Sequence, residues 1–264
     1  MSFGHVTWNQ SYFTIFRSKE ELPAVVDIAS ADRQTPSPAA IDPKEQMLKD
    51  AAYERVEALL NEGALRPGQF VSQRELVSMT GTTLGSIREA ISRLQTEGLL
   101  TAVPKRGLMV PSMDVQFVRN AYQLRKLLEL GAVRPAMECL EKAVFADWIR
   151  QHEAMRDFTS APSLQHANEL QALDWTIHNT LIGAMQNDLV LNIYRVNSIK
   201  IRMAVQVRLR VTPFNAERVT REHLAFLRPM LEGNVEAAVL ALDTHIENSL
   251  TLALGGSIID GAPR

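Results

Sequence analysis

A chain of 264 residues that is 46% apolar is long enough for two packed domains, and a formal net charge of −2 excludes a strongly basic nucleic-acid-coating protein. The single cysteine excludes an internal disulfide and fits a reducing compartment. The apolar runs fall short of the roughly 18 residues a spanning helix needs and the N-terminus lacks the pattern of a secretory leader, so a cytoplasmic location is expected.

Residues 1–43 hold scattered aromatics (Trp8, Tyr12, Phe13, Phe16) and then a Ser/Pro/Ala-rich stretch through Thr35-Pro36-Ser37-Pro38. They read as an N-terminal extension and linker. From Lys44 to Glu62, Leu48, Ala51, Ala52, Val56, Leu59 and Leu60 recur at helical spacing, and Gly63 is a natural stop. Arg66-Pro67-Gly68 turns the chain, and Ser72 is placed to cap a second helix through Met79. Gly81 supplies a tight turn, and Thr83 caps a third helix with the apolar stripe Ile87, Ile91 and Leu94, closed by Gly98. Leu99–Val103 and Leu108–Val110 flank Pro104-Lys105-Arg106-Gly107, which predicts a two-stranded basic ribbon. Residues 44–111 thus read as a winged helix-turn-helix domain.

After Pro111 the strand signal fades, and about six amphipathic helices are predicted over residues 112–254. Their spans are 114–139, 141–158, 163–185, 188–211, 215–231 and 234–253, with breaks at Pro162, Asn187-Asp188, Pro213 and Gly233-Asn234. Pro135 is expected to kink or end the first of them early. Cys139, among Ala136, Met137 and Leu140, is expected to be a buried thiol. Residues 255–264 form a Gly-rich tail. The fold class is mostly α: a winged helix-turn-helix followed by an all-α six-helix bundle.

Arg88, early in the third helix, stands where a groove-inserted helix presents its first turns, and Arg74 with Lys105 and Arg106 would flank the same groove. Electrostatics alone would not reveal this, since residues 44–111 carry nine Lys/Arg against eight Asp/Glu. The block Gly68 to Leu76, then Gly81, then Ile87-Arg88-Glu89-Ala90-Ile91-Ser92-Arg93-Leu94 and Glu97-Gly98-Leu99, resembles the GntR family of bacterial transcription regulators across residues 47–111. The resemblance implies DNA contacts by Arg74, Thr83, Ser86, Arg88 and Gly107. Leu84-Gly85 departs from the polar pair usual in that family, so the operator sequence does not transfer.

In the second half, Asp174 and His178 are four apart on one helical face, with His223 and His245 on later helices. One carboxylate and three imidazoles from three helices form an oxygen-and-nitrogen set that suits Zn, Ni or Mn better than Ca or Mg. A solvated Asp-x3-His contact is the bland alternative. Asp174-Trp175-Thr176-Ile177-His178, Glu222-His223 and Thr244-His245-Ile246, behind a GntR-type winged helix, resemble the FadR C-terminal (FCD) group over residues 115–252. Six helices rather than seven match its VanR-type branch. The resemblance implies a divalent metal, Zn first, on Asp174, His178, His223 and His245, with open positions for an effector carboxylate. It also implies a cavity arginine at Arg125.

Between Arg195 and Arg221 there are seven Lys/Arg and one acidic residue, and Arg202 and then Arg195 are further candidates for an anion. The resulting expectation is a homodimeric repressor of double-stranded operator DNA that answers to a small organic, sugar or aromatic acid, with no catalytic residues. A metal-dependent hydrolase is the alternative from another class, but it lacks a placed general base: Glu222, beside His223, is expected on a different face. A purely structural metal is the third reading.

Overall fold

Local signals in the N-terminal half are strong enough to set each element. The structure, a computed structural model, describes residues 43–155, 164–208 and 215–258. Helix α1 (Pro43–Glu62) is followed by strand β1 (Phe70–Val71), helices α2 (Gln73–Thr80) and α3 (Leu84–Thr96), and strands β2 (Thr101–Val103) and β3 (Gly107–Met109). Ser72 and Glu75 form a reciprocal capping box at the start of α2, with the Glu75 N–H donating to Ser72 Oγ at 3.2 Å and the Ser72 N–H to Glu75 Oε2 at 2.7 Å. Gly81, at φ +63°, makes the left-handed turn between α2 and α3, where a Cβ would be strained. Thr83 caps α3 by accepting from the Ser86 N–H.

The wing differs from the expected two-stranded ribbon. Phe70–Val71 adds a third antiparallel strand, giving the order β1-β3-β2 with Val71 opposite Leu108 and Ala102 opposite Leu108 on the other side. Two residues are too few for a period-2 pattern, so β1 carries no sequence signal.

Helices α4 (Val115–Cys139), α5 (Lys142–Met155), α6 (Leu164–Gly183), α7 (Asp188–Arg208), α8 (Ala216–Glu232) and α9 (Val235–Ala253) build the second half. Their spans agree closely with the predicted ones; the predicted breaks at Pro162 and Pro213, and the extension at 1–42, lie outside the described residues. Pro135 does not end α4, which continues to Cys139. The ring deprives only the Gly131 carbonyl of its partner, and Gly131 is exposed, so water can take that bond. Cys139 is exposed rather than buried, because Leu140 packs on the core in its place.

Two cores result. Val56, Leu60, Leu76, Ile87, Leu94 and Leu108 fill the first, and Phe145, Ile177, Leu181, Phe226, Leu242 and Ile246 lie in the second. Ile199 and Met203 of α7 are wholly buried in the first core, not the second. Each contributes on the order of 1.5–3 kcal/mol on burial, so α7 belongs physically to both halves. No helix among the described residues is long and apolar enough to cross a membrane.

Candidate functional site

Four polar side chains that the helical pattern turns inward meet in the second core. Asp174 and His178 come from successive turns of α6, His223 from α8 and His245 from α9; all four are buried, and one donor atom from each lies within 4.8 Å of the others. His223 Nε2 is 3.0 Å and His178 Nε2 3.7 Å from Asp174 Oδ1. Both Nε2 atoms, like His178 Nδ1 and Glu129 Oε2, are buried without a well-aligned hydrogen bond. Buried polar atoms are rarely left so, and a cation among them would satisfy both. Phe226 walls the site, its ring centroid 5.3 Å from that of His223.

Each imidazole is backed at its other nitrogen. His178 Nδ1 stands 2.8 Å from Glu129 Oε2, His245 Nδ1 2.9 Å from Glu222 Oε2, and His223 Nδ1 2.9 Å from His152 Nε2. Outer partners of this kind orient ligand rings and select the nitrogen left for the metal. Glu129 also accepts from Arg125 Nε at 2.8 Å and from the Tyr194 hydroxyl at 2.6 Å, and Glu222 from Arg218 Nη1 at 2.5 Å and Asn248 Nδ2 at 2.8 Å. Glu222 therefore reaches inward to His245, correcting the expectation that it faces elsewhere: its neighbour His223 points to the same cluster because α8 lies with both positions buried.

Sequence reasoning misses Glu129 and His152. A signal exists in both cases, since each sits four residues beyond a buried partner (Arg125, Trp148) on the apolar stripe of its helix.

The electrostatics suit cation binding. Burial pushes the Asp174 carboxyl up, but the nearby His178 and His223 imidazoles outweigh it and hold it well below the usual range. Burial drives His223 and His245 well below the ordinary histidine value, leaving neutral rings with lone pairs to offer. Burial lowers His178 too, but the Glu129 charge more than reverses it. Glu129 itself is pulled down to about 2, burial being outweighed by Arg125 and His178.

The three candidate arginines divide. Arg125 is 3% exposed, and its Nη2 is buried without a partner. Arg202 lies with its guanidinium 4.5 Å over the ring of Trp175, the residue after Asp174, and its Nε is likewise unpartnered. Arg195 is not at this site. It bonds the Tyr53 hydroxyl at 2.5 Å, Glu57 at 2.9 Å and Glu97 at 3.0 Å, because α7 passes α1 and the end of α3 on that side. An effector role for Arg195 is thereby corrected to a clamp between α7 and the winged helix.

On the other half, Arg74, Thr83, Arg88, Lys105, Arg106 and Gly107 are exposed, as are Leu84 and Gly85 at the start of α3. Arg88 Nε is held 3.3 Å from Gln73 Oε1, and Arg106 lies 4.9 Å over the Phe70 ring. Ser86 is largely buried, its hydroxyl 2.9 Å from Thr83 Oγ1, so it braces the cap of α3. Gly107 is at φ +94°, and a Cβ there would meet the Val71 carbonyl at 3.2 Å.

Comparison with known proteins agrees with this division. Residues 48–110 match the family "Bacterial regulatory proteins, gntR family", and residues 120–248 match the FCD domain. The Nta operon transcriptional regulator of Aminobacter aminovorans is 28% identical over 198 residues, which cover 72% of this chain and 89% of that protein. The regulator BphR of Paraburkholderia xenovorans is 25% identical over 211 residues, 78% of this chain and 84% of its own length. Among solved structures, Escherichia coli McbR/YncC has the same fold with a TM-score of 0.66 at 16% identity, over 79% of this chain and 97% of its own. A GntR regulator from Rhodococcus sp. RHA1 scores 0.64 at 18% identity, over 80% and 99%. The chain belongs to the GntR family of transcription regulators, with an FCD domain behind its helix-turn-helix, and is a regulator rather than an enzyme.

Proposed function

We propose that this regulator is a homodimeric repressor whose FCD domain holds a divalent metal on Asp174, His178, His223 and His245 and through it binds a small organic, sugar or aromatic acid that releases operator DNA. The observation that carries the metal is the convergence of four buried side chains from three helices, with one possible ligand atom from each within 4.8 Å of the others. Zinc suits three nitrogens and one oxygen best, with nickel or manganese next. When bound, the metal supplies a Lewis-acid position for an effector carboxylate. Arg125 Nη2 and Arg202 Nε, both buried without partners, are the groups left to take the rest of the anion. The count of six helices favours the VanR-type branch.

DNA is met by α3 and the wing, with Arg88 at the groove, Arg74, Thr83, Lys105, Arg106 and the Gly107 backbone along the phosphates, and Ser86 supporting Thr83. A two-fold dimer on a partly palindromic operator in the cytoplasm follows from that docking mode. Support for communication between the halves comes from α7. Tyr194 donates to Glu129, which backs His178, and the next residue, Arg195, clamps α1 and α3.

Elemental analysis with thermal melting tests the reading. Chelation should lower the melting temperature, metal should restore it, and a cognate acid should raise it further while weakening a gel-shift complex on the operator. Protein that takes up no metal refutes the metal reading; metal-loaded protein whose melt no acid shifts makes the metal structural only.

A further inference from the structure

We propose that His152 is a positioning residue that locks His223 into the tautomer able to ligate a metal through Nε2. His152 is wholly buried on α5, a helix that supplies none of the four candidate ligands. Its Nδ1 is 2.7 Å from the Trp148 carbonyl oxygen, and its Nε2 is 2.9 Å from His223 Nδ1.

A carbonyl only accepts, so the proton on His152 sits on Nδ1 and donates to Trp148. In the neutral ring, Nε2 then presents a lone pair. His223 must then donate from Nδ1, which leaves its own Nε2 as a bare lone pair. That atom faces Asp174 Oδ1 at 3.0 Å and has no hydrogen-bond partner. With this tautomer two acceptors face one another at that distance, which is an arrangement a cation fills. In the reverse orientation His223 would carry its proton on Nε2, and the metal position would be closed.

The relay also differs from the supports of the other two imidazoles. His178 and His245 are backed by carboxylates, Glu129 and Glu222, each balanced by its own arginine, Arg125 and Arg218. His152 performs the same orientation without adding charge. A carboxylate in its place would be the fourth buried here, after Asp174, Glu129 and Glu222, and would need another cation or would oppose an anionic effector. Trp148, through its backbone, and His152 thus couple α5 to the centre.

The inference rests on the metal reading above, and its test separates the two. Full-length protein is stripped with chelator and titrated calorimetrically with zinc alone, then nickel. In parallel, long-range proton–nitrogen spectra of histidine-labelled protein report which nitrogen of His223 carries the proton. The Nδ1–H form is expected in the metal-free wild type. His152→Phe removes the acceptor and should weaken metal binding by about 10–100-fold. His152→Gln keeps a neutral acceptor at the Nε2 position and should bind nearly as wild type. Wild-type protein that takes no metal overturns both readings. An Nε2–H tautomer in the wild type, or equal affinity in wild type and His152→Phe, overturns this one alone, as does His152→Gln failing to rescue. If His152→Phe does not fold, the wild-type spectrum and the glutamine variant still decide.

Discussion

At the scale of single residues, the largest energies lie where charge is buried. Arg125 and Glu129 are 3% and 0% exposed and joined at 2.8 Å, so each is the other's condition for being in the core. Arg125→Leu strands Glu129 and should destabilise the protein by about 3–5 kcal/mol in urea unfolding, well beyond the loss of one surface contact. Ser72→Ala is a milder case, expected to cost about 1 kcal/mol. Its partner Glu75 titrates below the ordinary glutamate value because the Ser72 backbone N–H and then its hydroxyl hold the charged form. A depressed folded pKa stabilises above the unfolded value and is lost as pH falls through the folded one, so the capping box weakens only in acid. Carboxyl chemical shifts against pH should place Glu75 low in the wild type and part of the way back in Ser72→Ala.

Asp174, His178, His223 and His245 can be nominated from residue type and helical spacing, but the resemblance to the FCD group is what singles them out as a ligand set. Their supports are harder to read: the four-residue spacing of Glu129 from Arg125 and of His152 from Trp148 marks a shared inward face, but not what the side chain does there. Arg195 shows the opposite failure, where a basic run suggests an anion site and tertiary packing gives the residue to the winged helix.

Among the elements, α2, α3 and the strands β2 and β3 are readable because caps, a left-handed glycine and short apolar runs flanking a turn act within a few residues. What α7 packs against is not, since burial of Ile199 and Met203 in the first core depends on where the whole helix lies. Under the proposed docking on DNA, α3 and the wing have separable roles. Arg88, beside Gln73 at the groove-facing turn, should on change to Ala relax base preference in a selection from random sequence. Lys105→Ala or Arg106→Ala should instead weaken all sequences alike and reduce the slope of log affinity against log salt by about one each. Gly107→Ala, forced against the Val71 carbonyl at a positive φ, should destabilise the wing by about 1 kcal/mol or more and weaken binding through geometry rather than charge.

The whole molecule turns on whether the two cores move together. Neighbouring residues on a helix point about 100° apart, and on α7 that angle carries Tyr194 to Glu129, behind His178, and Arg195 to the winged helix. A small rotation of α7 driven by Glu129 and His178 would shift Arg195 against Glu97, at the end of α3, and against Tyr53 and Glu57 on α1. Such coupling exists only if metal state and operator affinity are linked, and the linkage must be reciprocal. Operator affinity measured in chelated and metal-loaded protein gives the factor, and metal affinity with and without operator must return the same one. Arg195→Ala should leave the metal titration of DNA-free protein unchanged while bringing that factor close to one in both directions. Tyr194→Phe, which breaks the link at its other end, should also bring the factor close to one, and the double variant should lose no more than either single one. Were both variants to keep the full factor, α7 would be a scaffold, and the signal would have to run through the α4 entry at Asp114 and Val115 instead.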